Sequence, residues 1–191
     1  MATTPGGSCS KRRPLRFPRI LPALCAAALS ASMPAATADA ARPRLETVAQ
    51  VVLNLLSYAR WPAERDVLRL CVDGSALYTG KLLEGASLPT GRPVQARRVD
   101  VVNDGLASDC DSLYLGAMTE ARRKKMSAEL SGKPVLVIAE HDDECEVVSM
   151  FCLDIRDNDV SFRVNLDSVA RSGIHIHPGV LQLGRRREPP S

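Results

Sequence analysis

Of the six cysteines, Cys9 and Cys25 lie in the N-terminal stretch that we interpret below as a leader. The chemistry of the four others says most about this chain: Cys71, Cys110, Cys145 and Cys152. An even number of cysteines in an exported domain is typical of disulfide bonds. Four cysteines allow three pairings, and the sequence alone does not decide among them. The short separation of Cys145 and Cys152 favours a bridge between those two, which would leave Cys71 for Cys110. A structural zinc site would instead need a C-x-x-C or C-x-x-H spacing, which the sequence lacks.

The three histidines are the second group with chemical potential. His175 and His177 lie two residues apart, so both point to the same side of an extended segment. Such a pair can bind a metal ion or an anionic ligand, and its simpler interpretation is two partly exposed polar residues beside a turn. His141 lies in the acidic segment 140–146, which lacks the D-x-D-x-D-G spacing of a calcium loop. We expect that segment to be a solvated loop.

Motifs of the common catalytic sites are absent from the sequence. It contains no G-x-S-x-G, H-E-x-x-H, P-loop or G-x-G-x-x-G. Trp61, the single tryptophan, follows Arg60, and these two residue types are enriched at binding interfaces. Burial of Trp61 in the core is an equally good interpretation. We therefore expect a binding protein and no enzyme; the alternatives are a thiol oxidoreductase, which would want a C-x-x-C, and a small-solute-binding protein.

The first 38 residues have the composition of a secretory signal peptide. Five basic residues between Lys11 and Arg19 precede a short apolar stretch, and Ala36-Thr37-Ala38 is a small-x-small cleavage site. The apolar stretch is shorter than the ~20 residues that a membrane-spanning helix needs. Removing these five from the 25 basic residues leaves 20, against 22 acidic residues, so the positive net charge belongs to the leader. A basic nucleic-acid-binding domain is therefore not expected.

Residues 39–184 alternate between apolar runs and helical patterns, which predicts a single α/β domain. Its expected core is a mixed, mostly parallel sheet flanked by helices. Trp61-Pro62 should end the first helix, and Ser75 is the predicted N-cap of the second. The predicted helices are 44–60, 75–86 and 119–130, and the predicted strands are 67–72, 94–102, 113–115 and 135–139.

The last third of the chain has a different pattern. Two β-runs, 147–155 and 160–164, are separated by the turn cluster 156–159, which predicts an antiparallel hairpin. A short helix should follow from Asn165 or Leu166 to Arg171, and Ser172-Gly173 should end it. Pro178 to Leu183 is expected to add one or two helical turns before a basic, disordered tail, residues 185–191.

A joint pattern across most of the chain matches a known family. Its parts are Ser57-Tyr58-Ala59-Arg60-Trp61-Pro62, the four cysteines, Leu136 to Glu140, Val164-Asn165-Leu166-Asp167 and Arg171-Ser172-Gly173. This pattern, over about residues 44–185, resembles the YfiR family of periplasmic repressors of a membrane-bound diguanylate cyclase.

The resemblance implies a regulatory function that needs neither catalysis nor a cofactor. Family members bind the periplasmic domain of the cyclase and hold it inactive, which lowers cytoplasmic cyclic di-GMP and restrains biofilm growth. A peptidoglycan-binding outer-membrane lipoprotein can capture the repressor and release the cyclase. Members are homodimers, and their disulfides link activity to the redox state of the periplasm. The implied location of this chain is therefore the periplasm.

The resemblance also implies roles for particular residues. The bridges would be Cys71–Cys110 and Cys145–Cys152. Leu166 and Val169 would form part of an apolar partner-binding surface beside the last helix. The candidates for a small-ligand or interface pocket are Arg60, Trp61, His175 and His177.

Overall fold

A computed structural model of the chain describes residues 36–100, 105–142, 145, 148–157 and 159–185. The predicted signal peptide lies almost wholly outside these residues, as do most of the basic tail and part of the acidic segment. The predicted cleavage site, Ala36-Thr37-Ala38, lies within the described residues, at the start of the first helix. Cleavage there and the order of the tail stay predictions.

The described residues form six helices and nine strands. The helices are α1 (Ala36–Ser57), α2 (Gly80–Leu83), α3 (Leu106–Asp109), α4 (Glu120–Leu130), α5 (Leu166–Ser172) and α6 (Val180–Arg185). The strands are β1 (Ala59–Arg60), β2 (Leu68–Asp73), β3 (Ala86–Ser87), β4 (Pro93–Val99), β5 (Ser112–Leu115), β6 (Leu136–Ala139), β7 (Phe151–Arg156), β8 (Asp159–Val164) and β9 (His175–Ile176).

Seven of these strands form one mixed sheet in the order β3-β4-β2-β5-β6-β7-β8. The five central strands run parallel, whereas β3 and β8 are antiparallel to their neighbours. The predicted mostly parallel sheet and the C-terminal antiparallel hairpin are both confirmed. Strand β4 pairs with one edge of β2, and β5 pairs with the other edge. The order of the strands in the sheet therefore reverses between β2 and β5, which makes this position a topological switch point. Open α/β sheets commonly bind ligands at the carboxyl end of such a switch point.

Side-chain alternation along the strands divides the core into two faces. In β5, Tyr114 belongs to the cluster that includes α1, whereas Leu113 and Leu115 belong to the cluster that includes α3 and α4. Leu136 and Val137 of β6 divide in the same way. Both faces of the central strands are therefore covered, which explains why the sequences of these strands are continuous apolar runs. The buried residues of α1 are Val48, Ala49, Val51, Val52, Leu55 and Leu56.

Local capping residues explain the two helices whose positions were predicted most closely. The Thr119 side chain accepts a hydrogen bond from the Arg122 amide at the start of α4. Asn165 does the same for the Ser168 amide at the start of α5. Gly173 ends α5 with a φ of 70°, a left-handed conformation that glycine adopts without steric cost.

The first two helix predictions need correction. Helix α1 begins at Ala36 and not at Arg44. It ends at Ser57 and not at Arg60, because Ala59 and Arg60 leave the helix to pair with β9. The predicted helix from Ser75 to Ala86 is a loop, residues 74–79, followed by the single turn of α2. Ser75 does not cap a helix; its hydroxyl hydrogen-bonds the carboxylate of Asp73. Tertiary contacts therefore outweighed the local helical pattern at both places.

Candidate partner-binding site

Two disulfides join the four cysteines in the pairing that the resemblance implied. Cys71 of β2 is bonded to Cys110, which follows α3, with 5.7 Å between their Cα atoms. Cys145 is bonded to Cys152 of β7, with 5.6 Å between their Cα atoms. Cys71, Cys110 and Cys152 are at most 1% exposed, and Cys145 is 9% exposed. The first bridge fixes the crossover between β4 and β5 to the sheet, and the second fixes the segment that leads into β7.

The acidic segment 140–146 is not the solvated loop expected from the sequence, because its described acidic residues, Glu140 and Asp142, are only 1% and 7% exposed. Asp142 instead organises the segment that carries the second disulfide. Asp142 accepts hydrogen bonds from the Cys145 amide at 3.0 Å and from the Ser149 hydroxyl at 2.7 Å. Arg123 of α4 lies 3.5 Å from the same carboxylate, and Arg163 of β8 donates to the Asp142 carbonyl at 2.8 Å. This polar network holds the loop between β6 and β7 against both α4 and the hairpin.

A second buried carboxylate holds the loop 74–79 over the carboxyl end of the sheet. Glu140, which follows β6 and is 1% exposed, accepts the backbone amides of Leu77 at 2.8 Å and Tyr78 at 2.6 Å. Asp73, at the end of β2, is also 1% exposed and is 3.2 Å from Arg122 of α4. Burial raises the pKa of Tyr114 well above its usual range, and the charge of Glu140 raises it further.

The loop 74–79 fills the position at which an open α/β sheet would hold a ligand. Gly116 follows β5, and a Cβ atom added there would overlap the backbone carbonyl of Ser75. The loops after β2 and β5 are therefore in direct backbone contact across the switch point. A ligand could enter there only by displacing the loop, so the crevice at the switch point between β2 and β5 is closed.

At the opposite end of the sheet, Asp111, which directly precedes β5, connects Trp61 to the sheet through a hydrogen bond. The indole N–H of Trp61 donates to the Asp111 carbonyl at 2.8 Å, and Trp61 is 7% exposed. The Asp111 carboxylate accepts from the Arg69 amide at 2.9 Å and from the Arg69 guanidinium at 2.7 Å. Burial by itself raises the pKa of Asp111, but these hydrogen bonds and the nearby positive charges outweigh it and hold that pKa below its usual value. The structure thus places Trp61 in the core.

Three of the predicted pocket residues meet on the two-stranded ladder of β1 and β9. Arg60 lies opposite His175 in the antiparallel register. The His177 amide donates to the Tyr58 carbonyl at 2.9 Å, and the two rings are 6.1 Å apart. Arg60, His175 and His177 are all exposed. The ladder thus presents three polar side chains at the surface, of which Arg60 carries a positive charge.

Leu166 and Val169 occupy neighbouring turns of α5, immediately before that ladder. Leu166 is 65% exposed, whereas Val169 is partly buried against the core cluster that also includes α1. Ile176 of β9 packs against the same cluster, and Leu181 of α6 is 41% exposed. The C-terminal segment from α5 to α6 therefore combines exposed apolar side chains with exposed polar ones.

Sequence reasoning missed three features of these surroundings. They are the pairing of β1 with β9, the closure of the sheet end by Glu140, and the Asp111–Arg69 pair. Each joins residues 42 or more positions apart, so no local spacing could reveal it. The one available signal was chemical: carboxylates flanking buried strands need partners when they are themselves buried.

Two kinds of feature are absent from the part of the chain that the structure describes. Among the described residues, no helix has the length and apolar character that crossing a membrane requires. Within the same part of the chain, no three His, Cys, Asp or Glu side chains are placed to hold a metal ion together.

Comparison with protein families gives a match that covers most of the chain. The profile of a family described as YfiR/HmsC-like matches residues 46–185.

Proposed function

The chain belongs to the YfiR/HmsC-like family, and from this premise we propose that it binds the periplasmic domain of an inner-membrane diguanylate cyclase and holds that enzyme inactive. The family is one of periplasmic regulators of a diguanylate cyclase and is regulatory rather than catalytic. Inhibition lowers cytoplasmic cyclic di-GMP and thereby restrains biofilm formation. Such control needs no reaction, only a higher affinity for the inactive state of the cyclase than for the active one.

The exposed side chain of Leu166 is the observation that carries the proposal for a partner surface on α5. Full burial of a leucine side chain is worth about 1.5–3 kcal/mol, and at 65% exposure most of that free energy is unrealised in the free protein. Val169, one turn along the same helix, supplies adjoining apolar area. The exposed polar side chains of the ladder beside it give this surface a polar rim, an arrangement typical of protein–protein interfaces.

The closed end of the sheet supports binding rather than turnover. The crevice that ligands use in open α/β sheets is filled by the loop 74–79. The burial of the cysteines also argues against a thiol oxidoreductase, because thiol exchange needs an accessible sulfur. A small-solute-binding protein with two lobes is disfavoured as well, because the described strands build one main sheet and a two-stranded ladder.

Release of the cyclase has two proposed routes. An outer-membrane lipoprotein that binds peptidoglycan captures the protein and competes with the cyclase for it. Under reducing conditions the disulfides break when local opening exposes their buried sulfurs, and the loss of their constraint destabilises the fold. The functional form is proposed to be a homodimer, as the family resemblance implies.

A charge placed at Leu166 tests the partner surface directly. Leu166→Glu should weaken binding to the purified periplasmic domain of the cyclase by at least about tenfold, because an apolar contact is lost and a carboxylate is desolvated. Titration calorimetry gives the two affinities.

Leu77→Glu is the matched control, because Leu77 is 68% exposed but lies on the loop at the closed end of the sheet. Its affinity should stay within about twofold of the unaltered protein. Equal weakening by both substitutions, or by neither, would remove the assignment of this surface to α5. Circular dichroism and Tm show whether both variants remain folded.

A further inference from the structure

A cavity of about 70 Å³ lies between the C-terminal ends of α4 and α5, and no role has yet been given to it. We propose that it binds a small organic anion: a carboxylate on a short apolar chain. The volume corresponds to roughly five water molecules, which suits a ligand of that size. The inference does not rest on the proposed function, because binding to the cavity can be measured on the protein alone.

The rim of the cavity is polar and cationic. Three serines of the two helices contribute, together with one serine and one lysine after α4 and one arginine in the last turn of α5. These residues are Ser127, Ser131, Lys133, Ser168, Arg171 and Ser172. The Ser172 hydroxyl already donates to the Val169 carbonyl at 2.8 Å. The donors for a carboxylate are therefore the Arg171 guanidinium, the Lys133 ammonium and the hydroxyls of Ser127 and Ser131.

Lys133 and Arg171 are not used elsewhere in the described part of the chain. Neither side chain forms an ion pair or a hydrogen bond with a described residue, whereas the neighbouring cations of α4 do. No acidic side chain lines the cavity among the residues that the structure describes. Both residues are exposed and lie at the rim of the cavity, where no described acidic side chain balances their charge.

The helix ends do not cancel this charge. The C-terminal ends of α4 and α5 both reach the cavity, and each carries a partial negative charge of at most about half an elementary charge. Two full positive charges outweigh these partial charges, and α5 is only seven residues long. The cavity therefore favours an anion over a cation.

The floor of the cavity is apolar, which distinguishes its ligand from inorganic phosphate. Val135, Val137 and Met150 lie there, and each is at most 4% exposed. A short hydrocarbon chain would gain about 25 cal/mol for each Å² of apolar surface that it buries against them. The carboxylate would then lie at the rim, beside Lys133 and Arg171.

Helix geometry separates this cavity from the proposed partner surface. Ser168, Arg171 and Ser172 follow the spacing of one helix face, whereas Leu166 and Val169 lie on another. The anion and the cyclase would therefore occupy different sides of α5.

A titration with butyrate, followed by backbone amide NMR, tests the site. Butyrate should shift the amide signals of residues 131–133 and 171–172 and saturate, whereas butyramide, which has nearly the same shape and no charge, should not. Arg171→Gln and Lys133→Gln should each weaken butyrate binding by about tenfold. Ser127→Leu should abolish binding by filling the cavity while leaving both cations in place.

Lys124→Gln is the matched control for net charge, because Lys124 lies on α4 but pairs with Glu120 at an exposed position. Its butyrate affinity should stay within about twofold. Three results would overturn the proposal: no saturable shifts with butyrate, equal shifts with butyramide, or equal losses in Lys124→Gln and Arg171→Gln. Binding of an acidic peptide but not of butyrate would also contradict it.

Discussion

At Asp111 a single residue connects β2, β5 and the segment that holds Trp61. Its carboxylate accepts from the Arg69 backbone and side chain, and its carbonyl accepts from Trp61 and from the Leu136 amide. Asp111 is 8% exposed, so the carboxylate has exchanged most of its hydration for these partners. A buried charge that loses its hydrogen-bond partners destabilises a fold strongly, because its desolvation is then uncompensated.

The first stability prediction concerns this carboxylate and its dependence on pH. Asp111→Asn should lower the free energy of unfolding at pH 7 by about 2 kcal/mol, because charge-assisted hydrogen bonds are lost. The pKa of Asp111 is lowered in the folded protein. Its contribution is therefore fully present well above about pH 4, the usual pKa in the unfolded chain, and is lost as the pH falls through the folded value.

Urea unfolding of both proteins between pH 7 and pH 2 measures that dependence. The stability difference between them should be constant near neutral pH and should shrink as the pH falls below about 4. Asp109→Asn is the control, because Asp109 pairs with Arg97 at an exposed position and should contribute at most about 1 kcal/mol. A difference for Asp111→Asn that does not change with pH would contradict this account of the carboxylate.

At the scale of elements, the loop 74–79 is defined by its close approach to Gly116. Gly116→Ala should destabilise the protein by about 1–3 kcal/mol, because the new Cβ atom would overlap the Ser75 backbone and the loop would have to move. Hydrogen exchange should then increase at the amides of Leu77 and Tyr78, which now donate to Glu140.

Gly74→Ala is the control for that substitution. A Cβ atom at Gly74 would meet no atom within 4 Å, so its effect on Tm should be small. Unchanged stability and unchanged exchange in Gly116→Ala would show that the end of the sheet is more open than the backbone contact indicates.

The two disulfides should stabilise the fold to different extents. Their cysteines are separated by 39 and 7 positions, so loop-closure entropy gives about 4 kcal/mol for Cys71–Cys110 and about 2.5 kcal/mol for Cys145–Cys152. Replacing Cys145 and Cys152 by serine should lower Tm by roughly 5–10 °C. Replacing Cys71 and Cys110 should lower it further.

Thermal unfolding of the two double variants, with the reduced protein as a reference, provides the measurement. A peptide digest under non-reducing conditions establishes the pairing. Recovery of Cys145 and Cys152 as free thiols from the exported protein, or a Tm unaffected by their replacement, would contradict the prediction.

Elements with strong local signals could be predicted from the sequence, and elements made by distant contacts could not. The apolar run at β6 and the caps Thr119 and Asn165 act within a few residues, so their strand and helices lie where the patterns indicated. The helix expected from Ser75 failed because Glu140, 63 positions from Leu77, fixes the loop. Family resemblance grouped Arg60 with His175 and His177. The pairing of Arg60 with His175 between β1 and β9 became visible only in the folded chain.

At the scale of the whole molecule, one end of the sheet is closed and the C-terminal segment from α5 to α6 is the surface that the proposed function uses. A rigid, disulfide-linked scaffold suits this task, because little ordering free energy is lost when a preorganised surface binds. Conditions that unfold the protein, or a competitor that binds the same surface, would therefore control the interaction.

Cyclic di-GMP in cells that lack this protein is the most direct test of the central claim that it restrains a diguanylate cyclase. Deleting the gene should raise the cellular concentration several-fold, and supplying the exported protein from a plasmid should restore the original level. The Leu166→Glu variant, secreted at an equal amount, should fail to restore it. An unchanged concentration after deletion would contradict the account.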